Sequence, residues 1–309
     1  MPWHETAATH WPWQETGASG GRGMRALALA VLGRGLIDPD EPVLTVDDVA
    51  LTRGQAAFET LRVYDGRAFA LADHLDRLAQ SAERLELPPV DHEALTELAQ
   101  AALAAAATAD CALRFYWTGG REGEGRATGI CLVSPIPDGF DALRERGLRV
   151  VSLDLGVDVA SRARSPWLLG GVKSTSYAVN IAARSEAVRR GADDALLLAS
   201  DGTVLEGATS NAWWRTGGTL RTPSLDLGIL AGVTRTHLLA SAADVGLTVE
   251  EGSWRLPELL AADEVLLSSS LREVVPVVDV DGQPIGAGVP GTTARMLQAA
   301  LRAAAHEGR

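Results

Sequence analysis

The chain has 309 residues, 46% of them hydrophobic and 22% charged, a globular composition long enough for two ordinary domains, each with its own core. Its formal net charge is −12, from 28 Lys and Arg against 40 Asp and Glu. That balance excludes a general nucleic-acid or anionic-membrane surface, because nothing offsets phosphate repulsion, although a local pocket can still be basic.

Residues 1–23 hold three of the eight tryptophans (Trp3, Trp11 and Trp13) in the paired phrases Pro-Trp-His-Glu-Thr and Pro-Trp-Gln-Glu-Thr, followed by a glycine-rich run. They have neither the cationic start nor the apolar run of a signal peptide. The segment reads as a flexible extension, or as translation from a start upstream of Met24. No stretch has the apolar length needed to span a membrane, so the expected compartment is the cytoplasm.

From Arg25 to Leu36 the chain reads as a strand closed by Asp38-Pro39-Asp40. Ala56–Tyr64 and Ala68–Leu71 flank Asp65-Gly66, a hairpin signal. Leu71, Leu75, Leu78, Ala82 and Leu85 recur at helical spacing and form one apolar stripe. An alanine-rich helix follows over 92–108. Ala112–Trp117 and Thr128–Ser134 then read as strands around a Gly- and Arg-rich turn. Pro135, Pro137, Gly139 and Gly147 bracket a short helical piece that predicts a linker at 137–146, between a domain at 24–136 and another at 147–309.

The second half opens with a strand, Leu148–Leu153, and a loop to Gly171. A helix is expected from there to about Arg190, stopped by Gly191. Ala195–Ala199 and the residues from Thr203 onward flank Asp201-Gly202 as a second hairpin. Gly228–Gly232 leads into a helix over Val233–Val245. Strands at Glu264–Ser270 and Val274–Val280 precede a last helix over Thr292–Ala305. Mixed strands and helices in two halves predict an α+β or α/β architecture with mixed sheets. Cys111 and Cys131 are expected as reduced core thiols. The six histidines lack metal-ligand spacing, so no structural metal is expected.

Lys173 sits among glycines and hydroxyls in Gly-Gly-Val-Lys-Ser-Thr-Ser-Tyr. It is not a phosphate-loop lysine, since Val172 rather than glycine precedes it. By itself it reads as a solvated lysine near a helix start. Glu206, on the strand after Asp201-Gly202, is either an exposed strand residue or a buried carboxylate facing a cation. Gly232, Val233 and Thr234 at a helix N-terminus suit an anion, and the hydroxyls of Ser268-Ser269-Ser270 can donate to one. Helical geometry sets Arg77 off the apolar stripe of its helix, on a face that reads as solvated.

Taken in order, Lys173, Glu206, the Gly228–Arg235 loop and Ser268-Ser-Ser followed by Glu273-Val-Val-Pro-Val resemble the class IV aminotransferase family. Thr52-Arg53-Gly54, Ala57-Phe58-Glu59-Thr60 and His74-Leu75-Asp76-Arg77-Leu78 match the same family. The resemblance runs from about Met24 to the C-terminus. It implies a two-domain, fold-type IV enzyme of the D-amino acid aminotransferase-like kind, with pyridoxal 5′-phosphate (PLP) between the domains. It further implies that Lys173 carries the cofactor as a Schiff base and moves protons. Glu206 would pair with the pyridine nitrogen. Arg77, Val233, Thr234, Ser269 and Ser270 would hold the phosphate, and Tyr177 would lie near the cofactor's phenolic oxygen. A homodimer is implied as well.

Within the family, Ser165-Pro-Trp-Leu-Leu and Lys173-Ser-Thr-Ser-Tyr-Ala-Val-Asn resemble the aminodeoxychorismate lyases. That resemblance implies release of pyruvate and 4-aminobenzoate, a folate precursor. The alternatives are a transaminase acting on branched-chain amino acids, D-amino acids or primary amines, and a non-catalytic relative that binds PLP. Phe58, Arg114 and Arg121 are candidates for substrate contact, the two arginines for a carboxylate. Each arginine reads equally as structural, Arg114 at a strand end and Arg121 as a solvated turn charge.

Overall fold

The computed structural model describes residues 25–307. The N-terminal extension expected to be flexible lies outside them. Among the described residues no helix is long and apolar enough to cross a membrane.

The first half contains β1 (Ala28–Val31), β2 (Gly35–Ile37), α1 (Val49–Thr52), β3 (Ala56–Tyr64), β4 (Arg67–Ala68), α2 (Leu71–Arg84), α3 (His92–Ala106), β5 (Cys111–Thr118) and β6 (Thr128–Ser134). Its strands form one antiparallel sheet in the order β2-β1-β6-β5-β3-β4. The strand expected over Arg25–Leu36 is in fact a hairpin. Gly33 and Gly35 reverse the chain at φ +75° and +69°, a region that costs other residues. The strand expected over Ala68–Leu71 stops at Ala68, because Ala70 turns left-handed and starts α2.

Alternation along β3 and β5 divides their side chains between two faces. Leu61, Val63, Leu113 and Phe115 point into a core with Leu75, Leu78 and Ala82 of α2 and Leu95 of α3. Phe58, Thr60 and Arg114 point the other way, into a cavity. Cys111 and Cys131 are buried free thiols.

The second half contains α4 (Phe140–Arg146), β7 (Leu148–Asp154), α5 (Val159–Arg164), α6 (Ala178–Arg189), β8 (Asp194–Leu198), β9 (Val204–Gly207), β10 (Asn211–Thr216), β11 (Thr219–Pro223), α7 (Val233–Ser241), β12 (Thr248–Gly252), α8 (Leu256–Leu260), β13 (Glu264–Ser269), β14 (Glu273–Val280), β15 (Gln283–Pro284) and α9 (Thr293–Glu307). Its mixed sheet runs β12-β11-β10-β13-β14-β7-β8-β9, with β15 on β14. The loop expected before Gly171 contains α5 and a 3-10 turn at Pro166–Leu168. The helix expected from Gly171 begins only at Ala178. The residues before it are extended because they pair with β3: the Thr175 N–H donates to Ala56 O (2.8 Å) and the Phe58 N–H to Lys173 O (3.1 Å). The helix expected to reach Val245 ends at Ser241, followed by a 3-10 turn.

The two sheets meet at Glu273, the first residue of β14. Its buried carboxylate accepts from Tyr64 of β3 (2.7 Å), Gln298 (2.8 Å) and both donor arms of Arg302 on α9, and it pairs with Arg144 of α4 at 2.6 Å. Beside this network Tyr64 and Phe69 pack with Trp213, Leu238 and Leu297, so one apolar cluster spans both halves.

Candidate active site

A cavity of about 620 Å³ opens where the outward face of β3 and β5 meets the segment before α6, β9, the start of α7 and the turn after β13. Pairing with β3 fixes the main chain of Lys173, whose N–H also donates to Ser81 of α2 (3.2 Å). The Lys173 ammonium lies 3.4 Å from the Tyr177 hydroxyl and 4.3 Å from the centre of the Phe58 ring. Phe58 meets Tyr177 edge-on at 5.0 Å, so two aromatic rings hold the amine.

Glu206 enters the same cavity from β9, where it is paired with Leu197 of β8. Its carboxylate accepts from the Leu230 N–H (3.1 Å) and lies 3.9 Å from Arg162. Burial pushes this carboxyl up to about 7, against the opposite pull of the Leu230 N–H, Arg162 and Lys173. An acid in that state suits a cationic nitrogen brought against it.

Arg77 is buried, contrary to its solvated reading. Its Nε and Nη2 donate to the two oxygens of Glu59, both at 2.7 Å, and Nη1 donates to Ala231 O (2.8 Å). The stripe of α2 predicts only the face turned to the first core. It carries no information about the 228–232 loop, which comes from the other half and covers Arg77. Glu59 also contacts His74 Nδ1 at 2.7 Å. Burial would raise the Glu59 carboxyl, but Arg77 and His74 overrule it and hold it at about 2. Burial also pushes the His74 imidazole below its ordinary value, so Arg77 is the cation that balances Glu59.

The Arg77 contact with Ala231 brings its guanidinium to the start of α7. Gly232 is the N-cap there, and no side chain caps the helix. A Cβ on Gly232 would come within 2.0 Å of Asn211 Oδ1, so the close approach requires glycine. Val233 and Thr234 line the cavity at this point, and Ser269 and Ser270 line it from the end of β13. Helix N–H groups, two hydroxyls and a fixed guanidinium form a donor set for a phosphate dianion. Nearby, Ser210 Oγ, also on the cavity wall, is buried without a hydrogen-bond partner among the described residues. The amine, the raised acid and this cradle fit PLP.

Arg114 lines the cavity from β5 and donates to Ser134 Oγ (2.5 Å). Arg121 is not brought to it. That side chain is 54% exposed on the turn after β5 and is paired with Asp47 at 2.9 Å. Arg162, Asn211 and Arg272 in the cavity wall, with Glu59 and Asp194 behind it, are not among the candidates the sequence offers. Glu59 lies inside the quoted Ala57–Thr60 phrase, so its signal was present. Arg162 and Asp194 carried none.

Residues 56–280 match the model of the amino-transferase class IV family. Over 258 residues the chain is 34% identical to a bifunctional aminodeoxychorismate lyase / D-amino acid transaminase of Mycobacterium tuberculosis, covering 80% of this chain and 89% of that protein. It superposes on a solved hypothetical aminotransferase from Mycobacterium tuberculosis, in PLP-bound form, with a TM-score of 0.85 and 33% identity over 91% of this chain and 99% of that one. A fold IV-transaminase from Curtobacterium pusillum is 37% identical and superposes with a TM-score of 0.82 over 89% of this chain and 97% of that one.

Proposed function

The chain belongs to the class IV aminotransferase family, and on that premise we propose that it is a lyase converting aminodeoxychorismate to 4-aminobenzoate and pyruvate. It is a fold-type IV enzyme with PLP as cofactor. The meeting in one cavity of the Lys173 amine, the raised Glu206 carboxyl and the cradle at the start of α7 supports the cofactor chemistry, and the observation that carries the lyase reading is the 34% identity to a bifunctional aminodeoxychorismate lyase / D-amino acid transaminase.

The cofactor, when bound, supplies an aldehyde for an amine and a ring that takes up electrons. Lys173 Nζ would carry the cofactor at rest. Arg77, the Val233 and Thr234 N–H groups and the Ser269 and Ser270 hydroxyls would hold its phosphate, and Glu206 would keep a proton at its ring nitrogen. Tyr177 and Phe58 orient the lysine amine. Lys173 Nζ would take the proton from the substrate's amine-bearing carbon and later return a proton to the departing three-carbon unit. The carbon–oxygen bond to that unit breaks as the six-membered ring becomes aromatic, and the two products together contain every atom of the substrate. The lyase acts as a homodimer, a reading supported by family resemblance.

The name of the mycobacterial relative supports the lyase reaction. The same name supports a second reading, D-amino acid transamination, which uses the same cofactor residues. The PLP-loaded protein, given aminodeoxychorismate without a keto acid, is expected to form 4-aminobenzoate and pyruvate in equal amounts. Absence of both products, with amino transfer from a D-amino acid to a keto acid, would replace the first reading by the second.

A further inference from the structure

Strand alternation puts Glu59 on the same face of β3 as Leu61 and Val63, so a carboxylate stands where an apolar side chain would extend the first core. It is fully buried. Burial strips an ionised carboxylate of its hydration, and a buried ion pair is often no more stabilising than apolar residues of similar size. Stability alone therefore does not account for Glu59. His74 and Arg77 stand three residues apart on α2, which puts them on one face of the helix, and both meet this carboxylate. Arg77 Nε donates to Oε1 and Nη2 to Oε2, each at 2.7 Å, and His74 Nδ1 also reaches Oε2 at 2.7 Å.

A guanidinium carries its N–H donors in a planar fork, one on Nε and two on each terminal nitrogen. Glu59 takes the Nε donor and one from Nη2, and Ala231 O takes one from Nη1 at 2.8 Å. One N–H on Nη1 and one on Nη2 are left over, and Arg77 lines the cavity. Two donors on neighbouring nitrogens suit two oxygens of one phosphate. Without Glu59 the long arginine side chain would keep only the single contact with Ala231 O, and the fork could swing about it. Glu59 also cancels the arginine's charge, so what Arg77 gives the cradle is direction more than net charge.

We propose that Glu59 is a positioning residue: acting through Arg77, it aims the two remaining guanidinium donors at the cofactor's phosphate, and so makes the cavity select PLP over its unphosphorylated form, pyridoxal. This rests on the reading that Arg77 holds the phosphate. It deepens that reading by assigning the direction of the arginine to a residue that never touches the cofactor.

The test is absorbance titration of the full-length apoprotein with PLP and with pyridoxal, each read as the lysine-bound band. The ratio of the two dissociation constants reports the phosphate's share of binding, and anything peculiar to free pyridoxal cancels when variants are compared. Glu59→Gln keeps the size of the side chain but offers one acceptor oxygen in place of two. It is expected to lower the preference for PLP about tenfold, the loss of one aimed hydrogen bond to a charged group, with pyridoxal binding unchanged. Arg77→Lys is expected to lower the preference as well, and Glu59→Gln added to Arg77→Lys to lower it no further. A raised preference in Glu59→Gln would mean that the carboxylate screens charge rather than directing the fork, and would overturn the proposal. So would parallel weakening of both aldehydes, or full additivity in the double variant. If Glu59→Gln does not fold, Glu59→Asp, which keeps the charge but draws the carboxylate back by one methylene, must lower the preference several-fold; an unchanged ratio overturns the proposal. An Arg77→Lys variant that keeps the preference would sink the reading of Arg77 and the proposal with it. Glu59→Gln without effect, beside an Arg77→Lys that lowers the preference, would sink the proposal alone.

Discussion

Exchanging Glu206 for Gln preserves the side chain's size and its acceptor for the Leu230 N–H, but removes its charge. Glu206→Gln is therefore expected to retain PLP and lose about 10²–10⁴-fold in turnover, the range typical of a lost proton-holding group. Lys173→Ala is expected to abolish the visible absorbance of the lysine-bound cofactor. Near-normal rates in the first variant, or a persisting band in the second, would remove these residues from their roles. Lys173 and Glu206 stand out in the sequence because each is embedded in a local phrase. Arg162 and Arg272 do not, because each is defined by a partner far along the chain: Gly228, 66 residues from Arg162, and Asp194, 78 residues from Arg272. No local pattern encodes such a pairing.

Helix α2 shows what periodicity can and cannot convey. Its buried Leu75, Leu78 and Ala82 follow the predicted stripe, because one face of the helix covers one sheet. The opposite burial of Arg77 arises from a loop of the other half, and the spacing within α2 cannot report it. The late start of α6 has a similar origin, since extended pairing with β3 overrides local helical preference. At the start of α7 the limit is steric. In Gly232→Ala the added methyl must displace Asn211, whose Nδ2 donates to Leu230 O (2.9 Å) and so steadies the turn. Loss of one hydrogen bond to a charged phosphate, about 1.5–3 kcal/mol, predicts a tenfold or greater rise in the PLP dissociation constant. Absorbance titration of the apoprotein checks this, and an unchanged constant would separate α7 from the phosphate.

At the scale of the molecule, the mixed two-half architecture was legible from the order of strands and helices. The closure of one half on the other was not, since it depends on Glu273 meeting groups from β3, α4 and α9. Burial would raise the Glu273 carboxyl, but Arg302, Tyr64 and Arg144 hold it at about 2. Its unfolded value is near the ordinary glutamate pKa of about 4.3. The stability it contributes is therefore fully present above that value and is lost as pH falls toward 2. Glu273→Gln is expected to cost about 3–5 kcal/mol at pH 7, because it leaves buried arginine charge uncompensated. Urea unfolding should show the gap between variant and wild type closing as the pH is lowered from 4.5 toward 2. A gap independent of pH would mean that packing, not charge, makes the junction.

The strand pairing that positions Lys173 also bears on how the gene can be divided. Residues 147–307 carry Lys173, Glu206 and both turns proposed to hold the phosphate, and so look self-sufficient. Yet the lysine's backbone is registered on β3, and the arginine of the cradle rides on α2, so both supports come from the other portion of the chain. Severed at the connecting helix, neither piece would hold a working centre. Chemistry would return only on reassembly, which makes the chain a natural split reporter in which the yellow colour of the cofactor would signal that the two portions have found each other.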